Sequence, residues 1–442
     1  MRKCWPRMMD MLPLIQWNDL SEDERQQALQ RPMISRSEGT LNTVKAIIKK
    51  VSTKGDVALR ELTLLLDQVE LSDFKLSKAE IDRAIEKTSP TVKSAINQAI
   101  NNVRKFHEKK TKRLDISIEV MPGVSCEEIT RPIETVGLYI PSGNNPLPST
   151  AIMLGVPSLL AGCPNRILCS PPNKEGDVDK NIVTAAVACG IVDIYKLGGA
   201  QAITAMAYGT ESIPRVDKIF GPGNTWVTVA KSLVAAANIG VSVDMPAGPT
   251  EVMVISNGGI NSTSIAYDLL SQAEHGPESQ VILLCTDADF AQQVQDDIFQ
   301  ILVDLPTKEI ASQALQNSKI IMIETIEQAL SIANFYAPEH LILAFTDARN
   351  YIDQVQNAGS VFLGNWSPES AGDYCSGTNH VLPTYGYAKS VSAISVDSFI
   401  KSISVQELSK EGLISLSKTI TQLARVEGLE AHARAVEVRL EN

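Results

Sequence analysis

Histidine is scarce in this chain, with five in 442 residues. Paired cysteines are missing altogether: Cys4, Cys126, Cys163, Cys169, Cys189, Cys285 and Cys375 are odd in number, scattered, and form no C-x-x-C. That excludes a disulfide framework and fits a reducing compartment. No apolar run approaches the roughly 18 residues of a membrane span. The basic start Met-Arg-Lys-Cys-Trp-Pro is interrupted by Asp10 and Pro13, so no signal peptide is expected. An excess of positive charge is lacking too. Lys and Arg number 40 against 51 Asp and Glu, a net charge of −11, which excludes the broad basic face of a nucleic-acid binder. The expectation is a cytoplasmic protein with neither nucleic-acid nor membrane partners.

What is present is concentrated. Four of the five histidines fall in polar clusters from residue 272 onward: Gln272-Ala-Glu-His275-Gly, Ala-Pro-Glu339-His340, Gly-Asp373-Tyr-Cys-Ser-Gly-Thr-Asn-His380 and Glu427-Gly-Leu-Glu-Ala-His432. Only His107 stands apart, in a Lys/Arg-rich stretch. Each cluster pairs an imidazole with a carboxylate or amide, the raw material of metal binding and proton transfer. One site assembled from distant segments is expected.

The length suggests about three domains. Apolar spacing predicts helices over Glu22–Gln30, Thr40–Ser52, Asp56–Leu66, Lys78–Thr88 and Pro90–Lys109, then a hairpin over Ile116–Pro132. From residue 135 short β-rich runs alternate with helical patterns, the βαβ rhythm of a parallel, helix-covered sheet. The rhythm runs through Val136–Ile140, Arg166–Cys169, Asp193–Leu197 and Lys218–Phe220. It repeats through Glu251–Ser256, Val281–Cys285, Lys319–Ile323, Leu341–Phe345 and Ser360–Leu363. Two α/β modules in tandem are predicted, with a helical tail after about residue 390.

The residues support several chemistries. Gln272 and His275 are three apart at a helix end, one face offering two metal ligands; a polar helix cap is the plain alternative. Glu339-His340 is an acid/base pair or a solvated turn. Asp373 and His380 lie in a predicted loop of about 20 residues, and long ordered loops are usually functional. Glu427 and His432 are surface residues unless the tail folds over a site. Gly221-Pro-Gly223-Asn224 opens a helix after a strand and suits a phosphate. It lacks the third glycine of a dinucleotide fingerprint, with Trp226 in that place. Gly198-Gly199-Ala-Gln201 is a second such turn. Cys375 is either a nucleophile toward an aldehyde or a small side chain in a tight loop. Another alcohol dehydrogenase, a zinc hydrolase working through Glu339, and a non-catalytic binder stay open on this reading.

Taken in order, these segments resemble histidinol dehydrogenases over residues 30–440. The resemblance rests on Arg131-Pro-Ile-Glu-Thr-Val-Gly-Leu-Tyr139-Ile-Pro, Leu197-Gly-Gly-Ala-Gln201-Ala-Ile, Phe220-Gly-Pro-Gly-Asn224, Asp244-Met-Pro-Ala-Gly-Pro-Thr250-Glu-Val and the four histidine clusters. It implies zinc- and NAD-dependent oxidation of L-histidinol to L-histidine through the aldehyde, closing histidine biosynthesis. It also implies two incomplete Rossmann-like domains plus a small helical tail that crosses to the partner of a homodimer with shared active sites. The domains would be 1–37 (an N-terminal segment packing with the tail), 38–135 with 250–388 (metal and catalytic residues), 136–249 (NAD), and 389–442 (the dimerisation tail). By matching motif, one zinc per subunit would be held by Gln272, His275, Asp373 and, across the dimer, His432. Glu339 and His340 would be the acid/base pair. Thr250, His380 and Glu427, with the zinc ligands and His340, would contact substrate; Tyr139, Gln201 and Asn224 would contact NAD. The chain departs from the family pattern at Pro141-Ser-Gly-Asn-Asn-Pro-Leu147, where a second glycine and an aromatic are usual, and at Cys375, where a small apolar residue is common.

Overall fold

The computed structural model describes residues 12–32, 38–111, 116–142, 145–245 and 248–441. Residues 143 and 144 of the atypical turn, Pro246-Ala247 and the first eleven residues lie outside this set.

Two parallel sheets carry the chain. The strands Glu251–Ser256, Gln280–Cys285 and His340–Ala344 are buried at every residue, because helices cover both faces. That explains their unbroken apolar runs. Each fully buried Val, Ile or Leu here contributes about 1.5–3 kcal/mol, and truncating one such as Leu283 to Ala costs about 2–5 kcal/mol. In order across the sheet the strands are Leu14–Gln16, Lys319–Met322, Gln280–Cys285, Glu251–Ser256, His340–Ala344 and Ser360–Leu363, all parallel. The second sheet runs Asp193–Lys196, Asn165–Ser170, Thr135–Tyr139, Lys218–Phe220 and Ser242–Val243, also parallel. Setting aside the added edge strand Leu14–Gln16, both sheets follow one order. The third, second and first strands of the module are followed by the fourth and fifth.

The helices over 38–111 were expected with the six-stranded sheet. They pack on the five-stranded one instead. Glu38–Leu66, which breaks its helical geometry at Gly55, covers one face through Val44, Val51 and Leu59, together with the helices Gly199–Tyr208 and Thr225–Ala236. Lys78–Lys87 and Pro90–His107 cover the other through Ile81, Ile96 and Val103, beside Pro148–Leu160 and Lys180–Ala188. Apolar faces on these helices decide the matter: they complete a core that the second module's own helices leave open. Residues 12–32 put the Leu14–Gln16 strand and the Glu22–Ala28 helix against the six-stranded sheet.

The tail is not wholly helical. Ile400–Leu408 is a strand pairing antiparallel with Val124–Pro132, which pairs in turn with Ile116–Met121. Alternating Ile403 and Val405 among serines is a strand pattern, and the hairpin's open edge supplies its partner. The helices Lys410–Val426 and Glu430–Leu440 follow, tied by Arg425 to Glu430 and Glu437. Ile414, Leu423, Val426, Leu429 and Val438 are exposed on them. Among the described residues no helix is long and apolar enough to cross a membrane.

Candidate active site

The titratable cluster forms at the amino edge of the six-stranded sheet, where its first and fourth strands lie side by side. Thr250 and Glu251 open one, Glu339 and His340 the other. The Glu339 carboxylate accepts from the Thr250 hydroxyl at 2.5 Å and from the Glu251 N–H at 3.0 Å. His340 Nδ1 lies 3.7 Å from Glu339, 3.6 Å from Glu369 and 3.3 Å from the Glu251 carbonyl oxygen. Its Nε2 is 3.7 Å from Asp373.

Gln272 arrives on the last turn of Ser262–Ala273 and is buried. Its amide touches the Thr250 hydroxyl, and the coherent orientation turns its nitrogen to the Glu369 carboxylate and its oxygen to Thr250. Thr250 has one proton to give, so it donates to Glu339 or to Gln272, not to both. The predicted loop before His380 contains a short helix, Glu369–Tyr374. Glu369 and Asp373 are one turn apart on it, and both reach His340. His340, Glu369 and Asp373 offer three ligand atoms within 4.8 Å of one another.

The electrostatics follow from burial. Desolvation pushes the Glu339 carboxyl up to about 7, against the pull of His340 and Thr250. Burial opposes charge on His340, but Glu369, Glu339 and Asp373 outweigh it and push the ring up to about 10. Burial would likewise raise Asp373, yet His340, His380 and His275 hold it below the usual carboxylate range. His275 and His380 are themselves held low by burial. The Nε2 atoms of His340 and His380 are buried without a hydrogen-bond partner among the described residues.

The protomer therefore brings together Thr250, Gln272, His275, Glu339, His340, Asp373 and His380. Glu427 and His432 are exposed on the tail and make no hydrogen bond or ion pair with this cluster among the described residues. Glu369 was missed by the sequence reading. Its signal was its four-residue spacing from Asp373, which puts two carboxylates on one helical face.

Tyr139, Gln201 and Asn224 gather at the carboxyl edge of the other sheet. The Tyr139 hydroxyl accepts from the Gly199 N–H at 3.1 Å. Gln201 is buried and sends its amide toward Asp67 at 3.5 Å. Asn224 caps Thr225–Ala236 by accepting from Trp226 and Val227 N–H. Gly221 sits at φ +125°, and a Cβ there would collide with the Tyr139 carbonyl. Its N–H donates to Asp244 at 2.8 Å, and Lys231 bridges Asp244 and the Gly221 carbonyl. The Gly199–Tyr208 helix has no cap from its own N-cap residue, Gly198; with the Gly199 N–H held by Tyr139, the next first-turn N–H groups suit an anion.

Comparison with known proteins identifies the family. The family model described as histidinol dehydrogenase matches residues 30–440. The histidinol dehydrogenase of Yersinia pestis is 48% identical over 427 residues, 97% of this chain and 95% of that protein. That of Escherichia coli strain K12 is 48% identical, covering 98% of each chain. A crystal structure of histidinol dehydrogenase from Elizabethkingia anophelis superposes with a TM-score of 0.92 at 46% identity over 98% of both chains. The chain belongs to the histidinol dehydrogenase family of oxidoreductases.

Proposed function

We propose that the chain oxidises L-histidinol to L-histidine through L-histidinaldehyde, using one zinc per subunit and two NAD⁺, in the last steps of histidine biosynthesis. The observation that carries this reading is the convergence of Thr250, Gln272, the Glu339-His340 pair and Asp373, from four separate segments, at one sheet edge.

The donor set suits zinc. It mixes imidazole, carboxylate and amide oxygen, and beside it the Nε2 atoms of His340 and His380 are buried without hydrogen-bond partners among the described residues, a state that calls for a polar ligand in the pocket. Gln272, His275 and Asp373 would hold the ion with His432 of the partner subunit. Bound there, zinc supplies a template and positive charge for the imidazole and amine of the substrate. A dinucleotide would suit the other edge, where the Gly199–Tyr208 helix begins against the Tyr139 hydroxyl. Bound NAD⁺ supplies the hydride acceptor for each oxidation.

The chain's own residues handle protons and water. His340 takes the alcohol proton. Glu339, buried against Thr250, then activates the water that attacks the aldehyde carbon, and His340 assists the second oxidation. The three carboxylates around His340 hold its ring protonated. With a divalent cation held at Asp373, that negative charge would be offset and the ring would be freer to act as a base. Thr250, His380 and Glu427 complete the substrate pocket, the last from the partner's tail. The exposed apolar face of the tail supports a homodimer in which that tail leaves its own subunit.

Metal analysis with an NAD-linked histidinol assay, before and after chelation, tests the reading. One zinc per subunit, two NADH per histidinol, and loss and recovery of activity with the metal are expected. Turnover without NAD, or a preference for unrelated amino alcohols, overturns it.

A further inference from the structure

Arg31 lies far from the acid/base pair in sequence, and none of the motifs that identify the family contains it. Its guanidinium donates to both oxygens of Glu251, from Nε at 2.6 Å and Nη2 at 2.8 Å. The second Nη2 proton is shared between the carbonyls of Tyr336 at 2.8 Å and Ala337 at 3.3 Å. These close the C-terminal end of the Ile326–Tyr336 helix, where Ala337 takes a left-handed turn at φ +54°. The guanidinium lies 3.7 Å above the Tyr336 ring. The Tyr336 hydroxyl donates to Glu251 at 3.1 Å or Gln280 at 2.6 Å, and Gln280 donates to the Gln30 carbonyl at 3.1 Å beside Arg31.

The main chain of the same two segments holds the reactive groups. The Glu251 N–H donates to Glu339 at 3.0 Å, and its carbonyl lies 3.3 Å from His340 Nδ1. Ala337, gripped by Arg31, is two residues before Glu339. The fork thus fixes both walls that present the pair: the start of the first strand and the turn into the fourth. Glu251 is buried, with its side chain 2% exposed against 16% for Arg31, so removing this partner would leave a buried carboxylate uncompensated.

We propose that Arg31 is a positioning residue for Glu339 and His340, acting through the Glu251 side chain and the Tyr336–Ala337 carbonyls. The planar fork is essential to this role. Lysine carries the same charge but cannot present a two-nitrogen fork to both carboxylate oxygens while reaching the two carbonyls. An ion pair that served only stability would accept that exchange far more readily.

The inference rests on the proposed oxidation, so wild-type turnover of histidinol is the first control; its absence sinks the function, not this role. With wild type active, Arg31→Lys should bind its full complement of zinc and keep KM for histidinol within about threefold. Its kcat should fall roughly 10- to 100-fold, the scale of a misplacement of about 1 Å. Hydrogen exchange should rise in the 250–252 and 337–340 segments and stay unchanged in the five-stranded sheet. Arg31→Ala should recover part of its kcat in millimolar guanidinium, and none in methylammonium or sodium chloride at equal ionic strength. The role is overturned if Arg31→Lys keeps wild-type kcat. It is overturned equally if Arg31→Ala recovers with glycerol as well as with guanidinium, the mark of general stabilisation.

Discussion

The two sheets share one strand order and use opposite edges. In the five-stranded sheet, the candidate cofactor residues Tyr139, Gln201 and Asn224 stand at the carboxyl ends of the strands, flanking the point where the order reverses. That is where open α/β sheets ordinarily bind ligands. In the six-stranded sheet, Thr250, Gln272, Glu339 and His340 stand at the amino ends. Helix direction explains the difference. At the carboxyl edge helices begin, and free N–H groups with the positive dipole end suit a phosphate. At the amino edge helices end, as Ser262–Ala273 and Ile326–Tyr336 do. Carbonyls and the negative dipole end there suit a cation and stabilise a protonated imidazole. One topology, read from its two ends, suits an anion at one edge and a cation at the other.

The most severe test of this division targets the amino edge. Glu339→Gln should slow aldehyde oxidation by roughly 10²- to 10⁴-fold while leaving NAD affinity, read by fluorescence titration, at the wild-type value. A His432→Asn chain should be similarly impaired through its metal site. Mixing the two should restore about one working site per heterodimer. If heterodimers form and no activity returns, His432 belongs to its own subunit's site or to none, and the cation seat is not shared.

The seam between the regions gives the next largest effect. A cavity of about 740 Å³ lies between them, lined by Lys218, Asp244 and Met245 on one side and Ala358, Gly359 and Ser360 on the other. His107 stands in its wall, 1% exposed, with both ring nitrogens unpartnered among the described residues. Burial, helped by Lys110, pulls its pKa down to about 4. The unfolded ring binds its proton near 6.5, so the stability contributed by a neutral His107 is complete above that pH. It is lost as pH falls from 6.5 toward 4. The loss should reach about 2 kcal/mol once screening through the cavity is allowed for. Denaturant midpoints measured across this window should fall in wild type and stay flatter in His107→Leu. Parallel curves would mean that other groups govern the seam.

These regions were unequally legible in the sequence. Parallel strands covered on both faces leave continuous apolar runs, so Glu251–Ser256 and Gln280–Cys285 stood out. The Leu14–Gln16 and Ser242–Val243 strands are too short to carry a period. Ile400–Leu408 was read as helix because its partner, the hairpin, lies about 270 residues away. The helices over 38–111 were legible as helices but not in allegiance, since an apolar face does not say which sheet it will cover. At the site, Gln272/His275 and Glu339-His340 could be read because neighbours in sequence remain neighbours in space. Glu369 offered only its spacing from Asp373, because its other partners Gln272 and His340 come from other segments. Arg31 was invisible for the same reason.

At the carboxyl edge the expected effect is smaller. Asn224→Ala removes the cap that accepts from Trp226 and Val227, at a cost of about 1 kcal/mol. It should raise KM for NAD⁺ and leave zinc content unchanged. Zinc lost along with NAD affinity would show that the two edges are not separable.

The smallest predicted change tests whether the amino edge works through water or through sulfur. Cys375 is exposed just past the Asp373 helix, and its carbonyl accepts from Asn102 at 2.8 Å. A thiol attacking the aldehyde would need activation by a nearby base or positive charge. Its thiol is not among the groups that contact Glu339 or His340. Glu339, by contrast, is buried, hydrogen-bonded by Thr250 and the Glu251 N–H, and 3.7 Å from His340. Cys375→Ser should therefore leave both oxidations within about twofold of wild type, since no catalytic group is removed. A drop of roughly a thousandfold in the second oxidation, the scale of losing such a group, would assign the covalent step to sulfur and leave Glu339 with the proton alone.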